Sequence, residues 1–121
     1  MPGLIVKTSL FPYRMKLKSR EPIELSFTIT NNGIKPKLIS FILELPPQLG
    51  LDKGGMTRII RKKLAEKVSP GQTQKFVYEV FPSKVVETGE YLASLNVSEH
   101  FKDYDYVLES KDEEISIKVE D

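Results

Sequence analysis

Cysteine and tryptophan are both missing from this chain of 121 residues, and His100 is its only histidine. Without cysteine there can be no disulfide framework, no thiolate metal site and no thiol nucleophile. No apolar run approaches the ~18 residues that a membrane-spanning helix needs. The opening Met1-Pro2-Gly3-Leu4-Ile5-Val6-Lys7 lacks a basic stretch leading into a long apolar one, so it does not read as a secretion signal. With Met1 as the natural start the expected location is cytoplasmic; a segment cut from a longer protein would instead fit a cell surface. There is no phosphate-cradling glycine loop, no G-x-S-x-G elbow and no paired-carboxylate motif. The chain is accordingly expected not to be an enzyme, with no catalytic residue, cofactor or metal assigned.

What is present fits one small globular domain with its own core. Hydrophobic residues make up 40% and charged residues 29%, an ordinary balance that is too apolar for a disordered chain of net charge +1. Frequent Lys and Glu without Cys or Trp is a bias associated with thermophiles. The charge is unevenly spread. Residues 1–84 hold fifteen Lys and Arg against six Asp and Glu, while residues 85–121 hold three against eleven, so the two parts carry +9 and −8. Basic and acidic strands lying side by side would neutralise one another; otherwise a basic patch is left to meet an acidic partner or a second copy of the chain.

Period-two alternation dominates the sequence and marks strands with one buried face. In Ile23-Glu24-Leu25-Ser26-Phe27-Thr28-Ile29-Thr30 every odd position is apolar, and Asn31-Asn32-Gly33 then offers residues that tolerate positive φ at a turn. Leu38–Leu45 sets Ile39, Phe41, Leu43 and Leu45 on one face, with Leu38 and Ile42 on the other, as in a strand central to its sheet. Pro46-Pro47 ends it, because proline cannot donate to a ladder. Thr73–Phe81 aligns Phe76, Tyr78 and Val80; Tyr91–Val97 aligns Tyr91, Ala93, Leu95 and Val97; Ile115–Val119 alternates cleanly. Leu4–Thr8 and Tyr13–Leu17 read as two parts of one strand broken at Phe11-Pro12. Ser69-Pro70-Gly71-Gln72 predicts a type II turn, and Glu87-Thr88-Gly89-Glu90 another turn. Short strands so punctuated predict an all-β, immunoglobulin-like sandwich of about seven antiparallel strands.

Met56–Val68 supports two readings. Met56, Ile59, Ile60, Leu64 and Val68 fall at helical spacing, which predicts one short amphipathic helix in 56–68. Gly54-Gly55 before it and the Ser69–Gln72 turn after it suit an extended segment instead, its second half forming a hairpin with the strand at Thr73.

Glu21-Pro22 leading a strand into Thr30-Asn31-Asn32-Gly33, then Leu45-Pro46-Pro47-Gln48-Leu49-Gly50-Leu51, Ser69-Pro70-Gly71-Gln72-Thr73 and Gly89-Glu90-Tyr91 come in a recognisable order. This order resembles the CARDB and NEW3-type immunoglobulin-like domains of archaeal and bacterial proteins over residues 20–98. The resemblance implies a β-sandwich used for adhesion or domain–domain interaction. The Cys…Trp…Cys core of antibody domains is absent, but Tyr91 stands where a tyrosine-corner residue would open the penultimate strand.

Four features compete as sites. His100, Asp103 and Asp105 are conceivable metal ligands, yet the calcium-loop spacing is missing and there is no second histidine. His100 with Ser94, Ser98 or Ser110 lacks a nucleophile motif, and Glu113 and Glu114 are adjacent and so point to opposite faces of a strand. Arg58, Arg61 and Lys62 belong to the densest basic run, Arg58–Lys63, which could contact nucleic-acid phosphates but reads better as a solvated edge strand. Phe101, Tyr104 and Tyr106, in an acidic loop, are the best candidates for holding a protein partner, since tyrosine anchors typify interface hot spots. The expected function is therefore a non-catalytic protein-interaction or adhesion module, with self-association into a dimer as one form and nucleic-acid binding through 58–63 as the alternative.

Overall fold

Among the described residues, 3–121, the computed structural model contains nine strands and no helix. They are β1 (Leu4–Phe11), β2 (Arg14–Lys16), β3 (Ile23–Asn31), β4 (Leu38–Glu44), β5 (Leu49–Gly50), β6 (Ile59–Lys63), β7 (Thr73–Pro82), β8 (Gly89–His100) and β9 (Val107–Glu120). One sheet has the order β1-β3-β7-β5 and the other β2-β9-β8-β4-β6. All pairings are antiparallel except β2 with β9. The all-β sandwich expected from alternation is the fold found.

The alternating residues meet between the sheets. Leu25, Phe27 and Ile29 of β3 face Ile39, Phe41 and Leu43 of β4, and Ala93, Leu95, Ile115 and Ile117 close the same core. Phe76, Tyr78 and Tyr91 are only half-buried at its margins. Phe27, Phe41 and Phe76 cluster with ring centroids 4.8–5.3 Å apart, within the range of favourable aromatic pairing.

Three local expectations change. The N-terminal strand is two strands in opposite sheets: β1 pairs with β3, the chain crosses at Phe11-Pro12, and β2 pairs with β9. The 56–68 segment forms no helix and no hairpin with β7. Its strand, β6, pairs with β4, and Leu64 N–H donates to Ile39 O at 3.0 Å while Val68 and Lys37 exchange both backbone bonds. The reason is topological: β7 already has β3 and β5 on its two edges, whereas β4 had one edge free. Joining it satisfies backbone groups and buries Leu64 and Val68 together. The Asn31–Gly33 turn uses no positive φ at those residues. Instead Asn31 is fully buried, and its Nδ2 donates to the carbonyls of Lys35 (2.7 Å) and Val68 (2.8 Å), tying three segments together.

Two punctuation marks form as read. Gly71 has φ 80° and Gln72 N–H donates to Ser69 O at 2.9 Å. Tyr91 donates its hydroxyl to Glu87 O at 2.7 Å, which is the tyrosine-corner bond.

Candidate functional site

Strand β6 is an edge of the five-stranded sheet. Its register with β4 sets Arg61 beside Ile42 and Lys63 beside Ser40 on the outer face, while Lys62 lies beside the core residue Phe41. Lys62 keeps its ammonium 5.4 Å from the Phe76 ring centroid, at the rim of the sandwich. None of Arg58, Arg61, Lys62 and Lys63 is in an ion pair among the described residues.

The β8–β9 loop reaches this edge. Its own bonds fix its shape: Phe101 N–H to Tyr106 O at 2.9 Å, Asp103 N–H to Phe101 O at 2.8 Å, and Asp105 N–H to the Asp103 carboxylate at 2.9 Å. Asp103 therefore holds the loop. Tyr104 folds back over the outer face and donates its hydroxyl to Leu64 O, just past the end of β6. Burial pushes the Tyr104 phenol above its ordinary pKa, which keeps it a neutral donor. Lys63 Nζ lies 5.4 Å from the Tyr104 ring centroid, a cation–π distance.

Beneath Tyr104 is His100, 8% exposed, with its ring 5.1 Å from the tyrosine ring. His100 Nε2 and Ser40 Oγ are 2.7 Å apart. Of the serines that a triad with His100 would need, Ser94, Ser98 or Ser110, none bonds to its ring among the described residues; the sheet supplies Ser40. His100 Nδ1 has no hydrogen-bond partner among the described residues. No group of three or more His, Asp or Glu converges as a metal site among the described residues.

A cleft of about 480 Å³ results, lined by Ser40, Ile42, Arg61, Lys62, Lys63, His100, Tyr104 and Val107, with Phe41 and Ser98 beneath. It unites Arg61, Lys62 and Tyr104. Arg58 lies elsewhere, in a groove with Pro47, Met56 and Val85, and Phe101 lines a different cleft. Phe101 and Tyr106 are 52% and 62% exposed, close to exposed Val107 and Leu108. Reading 59–63 as a strand would have pointed to Lys63, because alternation sets residues 59, 61 and 63 on one face. Nothing local in the sequence marks Ser40, which comes to His100 from 60 residues away.

No family profile matches the sequence, and no curated protein is significantly similar to it. Among solved structures the chain is similar to part of a Salmonella alpha-2-macroglobulin, at TM-score 0.69 and 14% identity over 97% of this chain and 7% of that one. It is also similar to native alpha-2-macroglobulin from Escherichia coli spanning domain MG7 to the C-terminus, at TM-score 0.64 and 18% identity over 96% of this chain and 16% of that one. A FixG-related protein from Vibrio parahaemolyticus matches at TM-score 0.61 and 6% identity, over 99% of both chains. At such identities the likeness is one of fold: a β-sandwich of the immunoglobulin-like or macroglobulin-domain kind. The chain spans only a small part of the two macroglobulins. No helix among the described residues is long and apolar enough to cross a membrane.

Proposed function

We propose that this chain is a non-catalytic protein-interaction module, CARDB-like in type, that takes up an extended acidic segment of a protein partner at the β6 edge. One observation carries the reading: Arg61 and Lys63 of the edge strand β6, in no ion pair among the described residues, share a cleft with Tyr104. An edge strand offers free backbone donors and acceptors for strand addition, and the side chains beside it set the choice of partner. Unmatched cations favour acidic segments and speed their arrival. Exposed Tyr106 and Val107 supply apolar contact next to the charges. A nucleic-acid backbone, charged at every phosphate, would also pass Asp112 and Glu114 on the outer face of β9 and Asp103 and Asp105 in the loop, whereas a short acidic segment lying along β6 meets Arg61 and Lys63.

Selection from a randomised peptide display library against the folded chain tests this. Enrichment of acidic sequences carrying an apolar residue, lost on R61E/K63E, supports it. Enrichment without acidic bias, or binding indifferent to R61E/K63E, overturns it. Selection that yields nothing while the chain sediments as a salt-sensitive dimer assigns the edge to a second copy and removes the foreign partner.

A further inference from the structure

A second cleft, of about 410 Å³, opens on the other side of the β8–β9 loop and shares only His100 with the first. The connection from β3 to β4 contributes Lys35, Pro36 and Lys37; Lys67 comes from the segment after β6, and Phe101 and Lys102 from the loop. Four ammonium groups thus border one concavity, and only one is matched. Lys37 Nζ lies 3.0 Å from Glu99 Oε1, both largely buried. Lys35, Lys67 and Lys102 make no ion pair among the described residues. Like charges gathered around a concave site focus a positive potential there and repel one another until an anion enters.

His100 lies between the two clefts. His100 is buried, and its Nδ1 has no hydrogen-bond partner although Nε2 is paired with Ser40. The ring borders both clefts, so a ligand seated in the second changes its surroundings. The walls are different in kind: Pro36, Leu38, Phe101 and Leu108 are apolar. Lys102 also holds φ 68°, a left-handed conformation uncommon outside glycine, at the point where the loop closes over the cleft.

We propose that this cleft binds a phosphate- or sulfate-type oxyanion carried on an apolar stem, with the lysines on the oxygens and Phe101 against the stem. Compact ammonium groups suit such an anion as point charges. The inference stands apart from the acidic-segment reading, since neither Arg61 nor Lys63 borders the cleft.

Nitrogen-15 amide spectra of the full chain, titrated with phenyl phosphate, phenyl sulfate and inorganic phosphate at constant ionic strength, test it. Saturable shifts are expected at Lys35, Lys37, Leu38, Lys67 and residues 100–102, together with a shift of the His100 ring nitrogens. Phenyl phosphate should bind more tightly than inorganic phosphate. K35Q/K67Q, which alters two exposed side chains, should weaken binding about tenfold or more, equivalent to about 1.4 kcal/mol. R61E/K63E should change it less than about threefold, because screening limits influence from outside the cleft. Shifts that never saturate, spread over every lysine or persist in K35Q/K67Q overturn the site as adventitious. Equal affinity for phenyl phosphate and inorganic phosphate overturns the apolar stem.

Discussion

The two edges of the five-stranded sheet are both short and basic, yet they end in opposite electrostatic states. At one, Arg14 and Lys16 of β2 both reach the Glu120 carboxylate of β9. At the other, Arg61 and Lys63 of β6 face Ile42 and Ser40 of β4, whose one carboxylate, Glu44, sits opposite Ile59. Pairing order makes the difference. The acidic strand β9 lies next to β2 and is separated from β6 by β8 and β4. A basic edge is thus either closed or open to a partner according to which strand neighbours it, and of the two edges only β2 has its cations matched by the acidic part of the chain.

Breaking the shared support should have the largest effect. Phe41 lies fully buried in the core between the sheets, in contact range of Phe27 and Phe76. Phe41→Ala should cost about 3–5 kcal/mol in denaturant unfolding; a loss below about 1 kcal/mol would contradict the packing described. Gly71→Val comes next. Open space surrounds the position, so the cost is one of backbone: φ 80° is strained for a β-branched residue, at about 1–3 kcal/mol. An unchanged melting temperature would show that the turn has another conformation.

Tyr104→Phe sharpens the comparison, since it acts on one edge alone. Losing the hydroxyl bond to Leu64 O should cost about 1 kcal/mol and quicken amide exchange over residues 101–106 and around Leu64. Amides of β2 and of β9 beyond Ile115 should exchange as before. Equal acceleration at both ends would mean that Tyr104 supports the whole sheet.

Titration gives the smallest effect. The hydrogen bond from Lys16, helped by the charges of Lys16 and Arg14, holds the Glu120 carboxyl below the usual carboxylate range. Backbone N–H bonds, that of Met56 foremost, do the same for Asp52. A depressed folded-state pKa stabilises the fold above the unfolded-state value, and that contribution is lost as pH falls through the folded value. Glu120→Gln should therefore make stability fall less steeply on acidification, while the contribution of Asp52 stays in place. Carboxyl resonances showing Glu120 titrating at its ordinary value would contradict the β2 pairing.

Alternation was enough to read β3, β4, most of β8 and the Ile115–Val119 end of β9, because one buried face forces a period of two; it missed residues 107–114 of β9, which lie largely exposed. It failed at 56–68, where Ile59, Ile60, Leu64 and Val68 satisfy helix and strand spacing alike and only the free edge of β4 decides. It failed again at Phe11-Pro12, because which sheet Met15 joins depends on β9, a hundred residues later. The candidate surface was half legible. Arg61, Lys62 and Tyr104 stand out by residue type, but their meeting depends on a loop folding back, and Arg58 and Phe101 go to other clefts. Lys63, Ser40 and the lysines at 35, 37 and 67 gain meaning only once the strands are placed.

Chemical-shift mapping with an acidic peptide carrying one apolar residue tests the contrast between the two edges most directly. The open-edge account predicts shifts at residues 59–64, at Ser40 and Ile42, and at residues 104–107, weakening as salt is added and abolished by R61E/K63E. Shifts centred on β2 and β9, or on the outer face of the four-stranded sheet, would contradict it.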